Sequence, residues 1–369
     1  MLQVRSTASR EPAMPPIFAY LAALGLSILL LLAGAVWGGV WDLASFIWMA
    51  IVVACLDHIL PAGERAPTER QARHLTVGLA VVHFPLLAVA VWALAQGGPW
   101  LNWLAYFAAS GLFFGQIMNS NAHELIHASG KTRRALGRWT YITLLFGHQT
   151  TAHPGLHHRL VATPEDPNTA RYNESWWRFC FRAWHFSFWK GLALEKSRQR
   201  QRGRSAYDRR NPYWAYVGGG LWCLFLAWAL LDWSGVGAYV ALCLLAQSQL
   251  LVTDYVLHYG MRRARQGDRW EPVGPQHSWN APHVVTNLLT LHAPRHSDHH
   301  AHPSRGFEAL RIEDGQPQLP YSLPVMVTFA LWPWWWRRMM NPRVDALGQG
   351  VDRTPRPGEG ESEGDLTCA

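Results

Sequence analysis

The chain has 369 residues, of which 49% are hydrophobic, and its formal net charge is +8. The five cysteines are scattered and form no C-x-x-C pair, which argues against a disulfide scaffold or an iron–sulfur site. No zinc-finger, helix-turn-helix or RNA-recognition signature accompanies the basic charge, so we set nucleic acid aside as a partner.

Six apolar segments follow a polar, basic lead at residues 1–14. A membrane-spanning helix needs about 20 predominantly apolar residues. We predict spans at about 16–38, 41–60, 75–95, 99–121, 213–233 and 235–257. No small-residue cleavage motif follows the first run, so we expect a retained helix rather than a cleaved signal peptide.

The distribution of Lys and Arg predicts how these spans are oriented. The junctions 38–41, 96–100 and 234–237 carry neither residue. The junction 61–74 carries Arg65, Arg70 and Arg73, and the segment 122–212 carries many more basic residues. Because cytoplasmic loops are enriched in Lys and Arg, this pattern predicts an all-α integral membrane protein with both termini in the cytoplasm.

Three later segments complete the predicted organisation of one membrane-embedded domain over residues 15–347. Residues 176–190 interleave aromatic with basic side chains, which is typical of a helix in the membrane interface, although an ordinary packed helix fits equally well. Residues 321–336 contain two prolines and several tryptophans, and we expect an interfacial or re-entrant segment there. The tail, 348–369, is rich in Gly, Pro and Glu and is predicted to be disordered.

Nine of the 18 histidines fall in four short motifs next to the predicted spans. The nine are His123, His127, His153, His157, His158, His258, His296, His299 and His300. A spacing of four residues places the first two on one helix face. A structural zinc site takes four ligands, so nine imidazoles favour two metal ions with four or five nitrogens each. Imidazole alone does not choose between Zn, Cu, Fe and Ni.

Two other functions use some of these features. H-E-x-x-H is also the motif of zinc metalloproteases, in which Glu124 would be the general base, but this hypothesis leaves the later histidine motifs without a role. A metal transporter would also need polar ligands, which transporters place near the bilayer midplane, whereas these motifs adjoin the cytoplasmic ends of spans.

The motifs, taken in order, resemble those of the membrane alkane 1-monooxygenases. The matching stretches are N-A-H-E-L-I-H at 121–127, H-P-G-L-H-H-R-L-V-A-T-P-E-D-P at 153–167, L-H-Y-G at 257–260, Q-H-S-W-N at 276–280, R-H-S-D-H-H-A-H-P at 295–303 and M-N-P-R-V at 340–344. The resemblance covers roughly residues 40–345. It departs from the family pattern at Ala152 and Leu257, where the family commonly has Glu, and at Ile126, where Gly is typical.

This resemblance implies a fold and an activity. It implies six transmembrane helices in a bacterial inner membrane and two iron ions held by the nine histidines. The reaction would use O2 to convert the terminal methyl group of an n-alkane to a primary alcohol. Electrons would come from rubredoxin, reduced by an NADH-dependent rubredoxin reductase. The nearest rivals are a fatty-acid desaturase, a fatty-acid or sterol hydroxylase, and a xylene-type methyl monooxygenase.

Further residues are assigned to supporting roles. We expect hydrogen bonds to the metal ligands from Glu124, Asp166, Asp254, His277, His292, Asp298 and His302. Candidate walls of a substrate channel from the bilayer are Trp103, Phe113, Phe114, Ile117 and Leu250. Rubredoxins are typically acidic, so candidate docking residues are Arg133, Arg134, Arg262 and Arg263, for which phospholipid contact is the alternative.

Overall fold

The computed structural model describes residues 16–61, 63 and 66–348. Within this part of the chain the regular structure is helical apart from the short antiparallel pair β1 and β2. The predicted lead at 1–14 and almost all of the predicted tail lie outside the described residues. The elements are α1 (Pro16–Trp37), α2 (Val40–Ile47), α3 (Val53–Ile59), α4 (Glu69–Ala95), α5 (Trp100–Leu112), α6 (Asn119–His127), α7 (Lys131–Thr143), α8 (Gln149–Ala152), α9 (His158–Leu160), α10 (Trp176–Gln201), α11 (Tyr213–His258), β1 (Arg265–Gln266), β2 (Arg269–Trp270), α12 (Val284–Leu289), α13 (His296–Ala301), α14 (Leu323–Ala330) and α15 (Pro333–Ala346).

Four helices among the described residues are long and apolar enough to cross a membrane. They are α1, the continuous helix Val40–Ile59, α4 and α11. The helix α4 begins six residues before the predicted span because Thr68 forms a capping box with Gln71, which satisfies backbone N–H groups of the first turn.

The helix α11 is 46 residues long but is broken at Asp232, whose φ of 57° and ψ of −157° are not helical. The chain turns sharply there, since a Cβ placed on Gly235 would lie 2.6 Å from the carbonyl oxygen of Ala227. In an uninterrupted helix, residues eight apart would be about 12 Å apart along the axis. The two arms of α11 therefore correspond to the predicted segments 213–233 and 235–257, and the turn lies two residues before the predicted junction.

The fourth predicted segment, 99–121, is part of a longer helical run. The helix α5 continues through a π-helical turn, Phe113–Met118, into α6, so the run ends at His127. The π-helical turn packs against the second arm of α11. A Cβ on Gly115 would lie 2.7 Å from the Cγ atom of Gln249, so the close approach depends on glycine.

The segments predicted to lie in the membrane interface are helical. The helix α10 begins after the N-cap Ser175 and continues well past residue 190, and it exposes Trp177 and Phe181. Residues 321–336 divide between α14 and α15. Trp336 is fully buried against Tyr255 of α11, while the neighbouring tryptophans are exposed.

Long-range hydrogen bonds connect the N-terminal helices to the segment around α12. The buried carboxylate of Asp57 in α3 accepts from the backbone N–H groups of Val285 and Thr286 at 2.7 and 3.0 Å, and from the Thr286 hydroxyl. The Tyr20 hydroxyl in α1 lies 2.7 Å from the Nε2 atom of His292. These bonds fix the segment that leads into the histidine-bearing helix α13.

Candidate metal centre

All nine histidines of the four motifs lie in two adjacent groups. The five-histidine group contains His123, His127, His153, His158 and His299. The four-histidine group contains His157, His258, His296 and His300. In each group the candidate ligand nitrogens lie within 4.8 Å of one another. The groups touch, because the rings of His158 and His300 are 4.5 Å apart between centroids.

Short contacts between ring nitrogens define the five-histidine group. The Nε2 atom of His153 lies 2.7 Å from that of His123 and 2.9 Å from that of His158. The Nε2 atom of His299 lies 3.1 Å from that of His158. Neighbouring ligands on one metal ion with bonds of about 2.0–2.1 Å are about 3 Å apart. The spacing therefore fits imidazoles that converge on one cation.

The four-histidine group has the same arrangement. The Nε2 atom of His296 lies 2.9 Å from that of His258 and 3.1 Å from that of His300. A neutral imidazole carries only one N–H, so it cannot satisfy two other ring nitrogens and a backbone acceptor together. His296 already contacts the Ala293 carbonyl oxygen through Nδ1, at 3.2 Å. A cation among the Nε2 atoms resolves this conflict.

Two buried nitrogens give an independent test of whether a metal fits. The Nε2 atoms of His127 and His157 have no hydrogen-bond partner among the described residues. Buried polar atoms are normally paired, so an unpaired ring nitrogen in each group points to a missing partner. The donor set, imidazole throughout, suits a transition metal such as iron, copper or zinc.

Helix geometry explains which histidines share a group. His123 and His127 lie four residues apart in α6, and His296 and His300 lie four apart in α13, so each pair shares a face. The second motif differs, because residues His153–His157 form a π-helical turn. A π-helix has its hydrogen bonds between residues five apart. His153 therefore shares a group with His158, while His157 joins the other group.

The protonation of the rings favours metal binding. Burial, with the neighbouring imidazoles of His123 and His158, holds the pKa of His299 well below its usual value. A histidine must be neutral to bind a metal ion, so this ring is ready at neutral pH. His157 differs: burial opposes its protonation, but the charge and hydrogen bond of Asp166, with the charge of Asp254, outweigh burial and raise its pKa.

A chain of polar groups supports His157. Its Nδ1 atom donates to the Oδ2 atom of Asp166 at 2.8 Å, and the Thr169 hydroxyl donates to the same oxygen at 2.7 Å. The Asn168 side chain donates to Asp254 of α11 at 2.7 Å, and its backbone N–H donates to Asp166 at 3.1 Å. A carboxylate bonded to a ligand fixes the ring orientation and increases its basicity.

The carboxylates of Asp298 and Glu124 hydrogen-bond to partners other than the candidate ligands. Asp298 accepts from His302 at 2.8 Å, from Arg305 at 2.6 and 2.7 Å, and from the backbone N–H of Arg311 at 3.0 Å. Glu124 accepts from the backbone N–H of Phe307 at 3.4 Å. These two carboxylates stabilise the loop that follows α13.

The remaining predicted histidines also have defined partners. The side chain of His277 lies 3.0 Å from Glu271, while its backbone hydrogen-bonds His258. His292 lies between the hydroxyl of Tyr20 and the carbonyl oxygen of Phe307, at 2.7 and 2.8 Å. His277 thus supports a candidate ligand through its backbone, which a side-chain motif does not indicate.

Two cavities lie between the helices, and candidate ligand histidines line the smaller one. We call the first the inner cavity; its volume is about 50 Å³, and its walls include His123, His153, His296, Tyr141, Asp254 and Leu257. The second, the outer cavity, has a volume of about 210 Å³ and is mostly apolar; its walls include Met49, Val53, Leu112, Leu289, Leu323 and Val327. An apolar space beside a metal-binding cluster can hold an apolar substrate.

The predicted channel residues divide between wall and core positions. Ile117 lines the outer cavity and Leu250 lines the inner cavity. Phe113 and Phe114 are fully buried in the helix core, and Trp103 stacks on Phe107 in α5. None of these three predicted residues lines either cavity. Sequence analysis missed the wall residues Gln116, Gln249 and Thr253, because isolated polar residues in apolar runs form no motif.

The four arginines predicted to dock a partner lie in three different settings. Arg262 lines a polar surface cavity of about 700 Å³ that also contains Asp166. Arg133 and Arg134 lie on α7, just after the end of α6. Arg263 is buried and donates to the carbonyl oxygens of Glu271 and Arg159 at 2.6 and 3.1 Å. Its guanidinium is committed to internal bonds, so the docking prediction does not fit Arg263.

Ala152 and Leu257, two of the departures from the family pattern noted above, are apolar residues next to candidate ligands in the chain. Ala152 is buried, and its Cβ lies 3.6 Å from where a Cβ on Gly191 of α10 would be. Leu257 is fully buried and lines the inner cavity. Both positions therefore contribute packing, and Leu257 makes the cavity wall more apolar.

Comparisons with known proteins agree with this geometry. A family model described as fatty acid desaturase matches residues 98–330. The chain is 33% identical to alkane 1-monooxygenase 2 of Pseudomonas aeruginosa over 79% of this chain and 78% of that protein. It is 33% identical to alkane 1-monooxygenase of Pseudomonas putida over 90% of this chain and 83% of that protein. It is also 25% identical to the hydroxylase component of a xylene/toluene monooxygenase of Pseudomonas putida, over 65% and 63%.

Proposed function

Because this chain belongs to the fatty acid desaturase family and is a homologue of the alkane 1-monooxygenases, we propose that it hydroxylates the terminal methyl group of an n-alkane. The product is a primary alcohol, and the centre is a pair of iron ions held by the nine histidines. One oxygen atom of O2 enters the C–H bond and the other leaves as water, which consumes two electrons and two protons. The observation that carries the proposal is the pair of histidine groups beside an apolar cavity.

The residues of the chain have separate tasks in this reaction. The iron pair, when bound, supplies the oxygen-activating chemistry, and the protein supplies orientation and exclusion. Each of the two histidine groups would hold one metal ion. Asp166 keeps His157 in one ring orientation with its Nε2 atom directed into the group. Leu250 and Leu257 keep the inner cavity apolar, which places a methyl group rather than water against the centre.

An apolar substrate dissolves in the bilayer, so we infer that it enters through the outer cavity. That cavity lies between the helix Val40–Ile59, α5 and α14. The proposed topology has six spans, since the run from Trp100 and both arms of α11 would cross in addition to the other three apolar helices. Residues 15–347 would form one domain in a bacterial inner membrane with both termini in the cytoplasm.

The electron donor in this proposal is rubredoxin, reduced by an NADH-dependent reductase. The cavity that contains Arg262 also contains Arg171 and Arg178, and it reaches Asp166, the hydrogen-bond partner of His157. A basic surface attracts an acidic donor to the region nearest the centre. Arg133 and Arg134 offer a second basic surface near the five-histidine group.

Of the alternatives, the zinc protease fits the site less well, whereas the related membrane desaturases and oxygenases fit it equally. Five imidazoles in one group exceed the three protein ligands of a catalytic zinc site, so the zinc protease hypothesis does not account for the geometry. A desaturase, a lipid hydroxylase and a xylene-type monooxygenase share the same chemical requirements, and only the substrate separates them.

The decisive experiment combines metal analysis with a product assay. Purified protein should contain about two iron ions per chain, and with rubredoxin, its reductase and NADH it should form 1-octanol from n-octane with matching O2 uptake. Xylene and an acyl-CoA are assayed in parallel. If O2 uptake occurs with xylene or acyl-CoA but not with octane, the alkane assignment is replaced. If no substrate causes O2 uptake, the monooxygenase assignment is overturned, and metal transport becomes the favoured function.

A further inference from the structure

One side chain lies between the two cavities. Gln116, in the π-helical turn Phe113–Met118, lines both the outer cavity and the inner cavity. Gln249 lines the outer cavity and Thr253 lines the inner cavity, one helical turn further along α11. Any molecule that moves from the bilayer side to the histidines by this route passes Gln116.

Hydrogen bonds hold this glutamine in place. Its Nε2 atom donates to the Oε1 atom of Gln249 at 3.1 Å and approaches the Gln249 carbonyl oxygen at 3.4 Å. The Thr253 hydroxyl lies 3.3 Å from its Oε1 atom and 3.0 Å from the Gln249 carbonyl oxygen, and its single hydrogen bonds only one of them at a time. The side chain of Gln116 is partly buried, and its bond to Gln249 resists displacement because a lost hydrogen bond costs free energy. The three side chains therefore form an ordered boundary between the inner and outer cavities.

The backbone also fixes the position of Gln116. A π-helical turn changes the direction of side chains relative to an α-helix, and such turns are frequent at functional sites. Glycine at 115 lets this turn approach α11, since a Cβ there would also lie 3.0 Å from the carbonyl oxygen of Ala246. The turn and the close contact together place the glutamine amide between the cavities.

The sizes of the cavities limit what can pass. The inner cavity, at about 50 Å³, is far smaller than the 150 Å³ of an apolar cavity that holds benzene. It has room for the end of an alkyl chain, while the rest of the chain would occupy the outer cavity, at about 210 Å³. A branched end is wider than a straight one, so a narrow point between the cavities would favour the straight end.

We propose that Gln116, held by Gln249 and Thr253, is a specificity-determining constriction that admits only the unbranched end of an alkyl chain to the centre. This inference rests on the proposed alkane hydroxylation and adds the residue that selects the shape of the substrate. Selection arises from the width that the bonded amide leaves open, so shortening the side chain should relax it.

The test is a competition between n-octane and isooctane, which have equal numbers of carbon atoms but differ because both ends of isooctane are branched. Gln116→Ala should raise the ratio of isooctane to octane products roughly tenfold, as expected when a pocket gains the volume of a few methylenes. Gln116→Met, which restores length without polarity, should return the ratio towards that of the unmodified protein. Ser248→Ala is the matched control, because Ser248 neighbours Gln249 on α11 and bonds to the Leu245 carbonyl oxygen.

The outcomes separate this inference from the proposed function. An unchanged product ratio in Gln116→Ala, or loss of activity on both alkanes with normal metal content, would overturn the constriction. If that variant does not fold, Gln249→Ala opens the same point from α11 and is judged by the same ratio. Failure of the unmodified protein to make 1-octanol would instead overturn the proposed function.

Discussion

The two histidine groups differ in how they are supported. The five-histidine group has one more imidazole, and among the described residues no carboxylate is hydrogen-bonded to its rings. The four-histidine group has one ring fewer, but His157 is bonded to Asp166, which connects through Asn168 to Asp254. A carboxylate partner makes an imidazole a more basic and therefore stronger metal ligand. One group therefore relies on the number of its ligands, and the other on the basicity of one ligand.

Removal of one ligand from each group should have the largest effect. His258→Ala leaves three rings in the four-histidine group, and we expect metal content to fall from about two ions to about one per chain, with hydroxylation abolished. His127→Ala leaves four rings in the five-histidine group and should retain more metal. Elemental analysis of both purified variants measures this difference. Equal metal loss in the two variants would show that ligand number is not what distinguishes the groups.

Loss of the Asp166 carboxylate should weaken metal binding only in the four-histidine group. Asp166→Asn keeps the shape of the side chain but removes the charge, and we expect metal affinity there to fall about 10–100-fold. Competition with a chelator measures this affinity. Glu165→Gln is the matched control, since Glu165 is the exposed neighbour in sequence. Chelation of both metals at the same rate in Asp166→Asn would contradict the assignment of Asp166 to one group.

A third change should affect both groups together. Asp57→Asn weakens the bonds to the start of α12, and α12 leads to α13, which contributes ligands to both groups. We expect a loss of about 1.5–3 kcal/mol in the free energy of unfolding, the range for a hydrogen bond to a charged group. Thermal unfolding in detergent measures the change, with the exposed Glu69→Gln as control. A variant that loses only one metal would argue against this shared support.

The smallest effect concerns electron delivery. Arg262→Glu alters the surface beside Asp166, whereas Arg133→Glu alters the surface near the five-histidine group. We expect Arg262→Glu to raise the KM for rubredoxin severalfold at low salt, and salt should reduce the difference because it screens exposed charges. A larger effect from Arg133→Glu would place electron entry at the other group.

Much of this architecture could be predicted from the sequence because its signals are local. The apolar runs predicted long helices, and the resemblance to alkane monooxygenases is confirmed by relatives that cover most of the chain. The spacing in α6 predicted correctly that His123 and His127 share a face. The two apolar segments 213–233 and 235–257 were predicted as separate, and the helix that contains them is broken at Asp232.

The partition of the histidines was not readable from spacing alone. His153 and His157 have the same spacing as His123 and His127, yet they belong to different groups. The reason is the π-helical turn at His153–His157. Packing against other elements stabilises this turn, and no residue pattern predicts it.

The amino-acid sequence alone is enough to identify the nine imidazoles, the apolar helices and the family resemblance that local motifs carry. Packing of the helices is needed to establish which ring joins which group, that Asp166 rather than Asp298 bonds a candidate ligand, and that Gln116 lies between two cavities. Helix periodicity and hydropathy act over a few residues, so they are visible in sequence. Contacts such as that between Gln116 and Gln249 join residues 133 positions apart, and they exist only once the helices have packed.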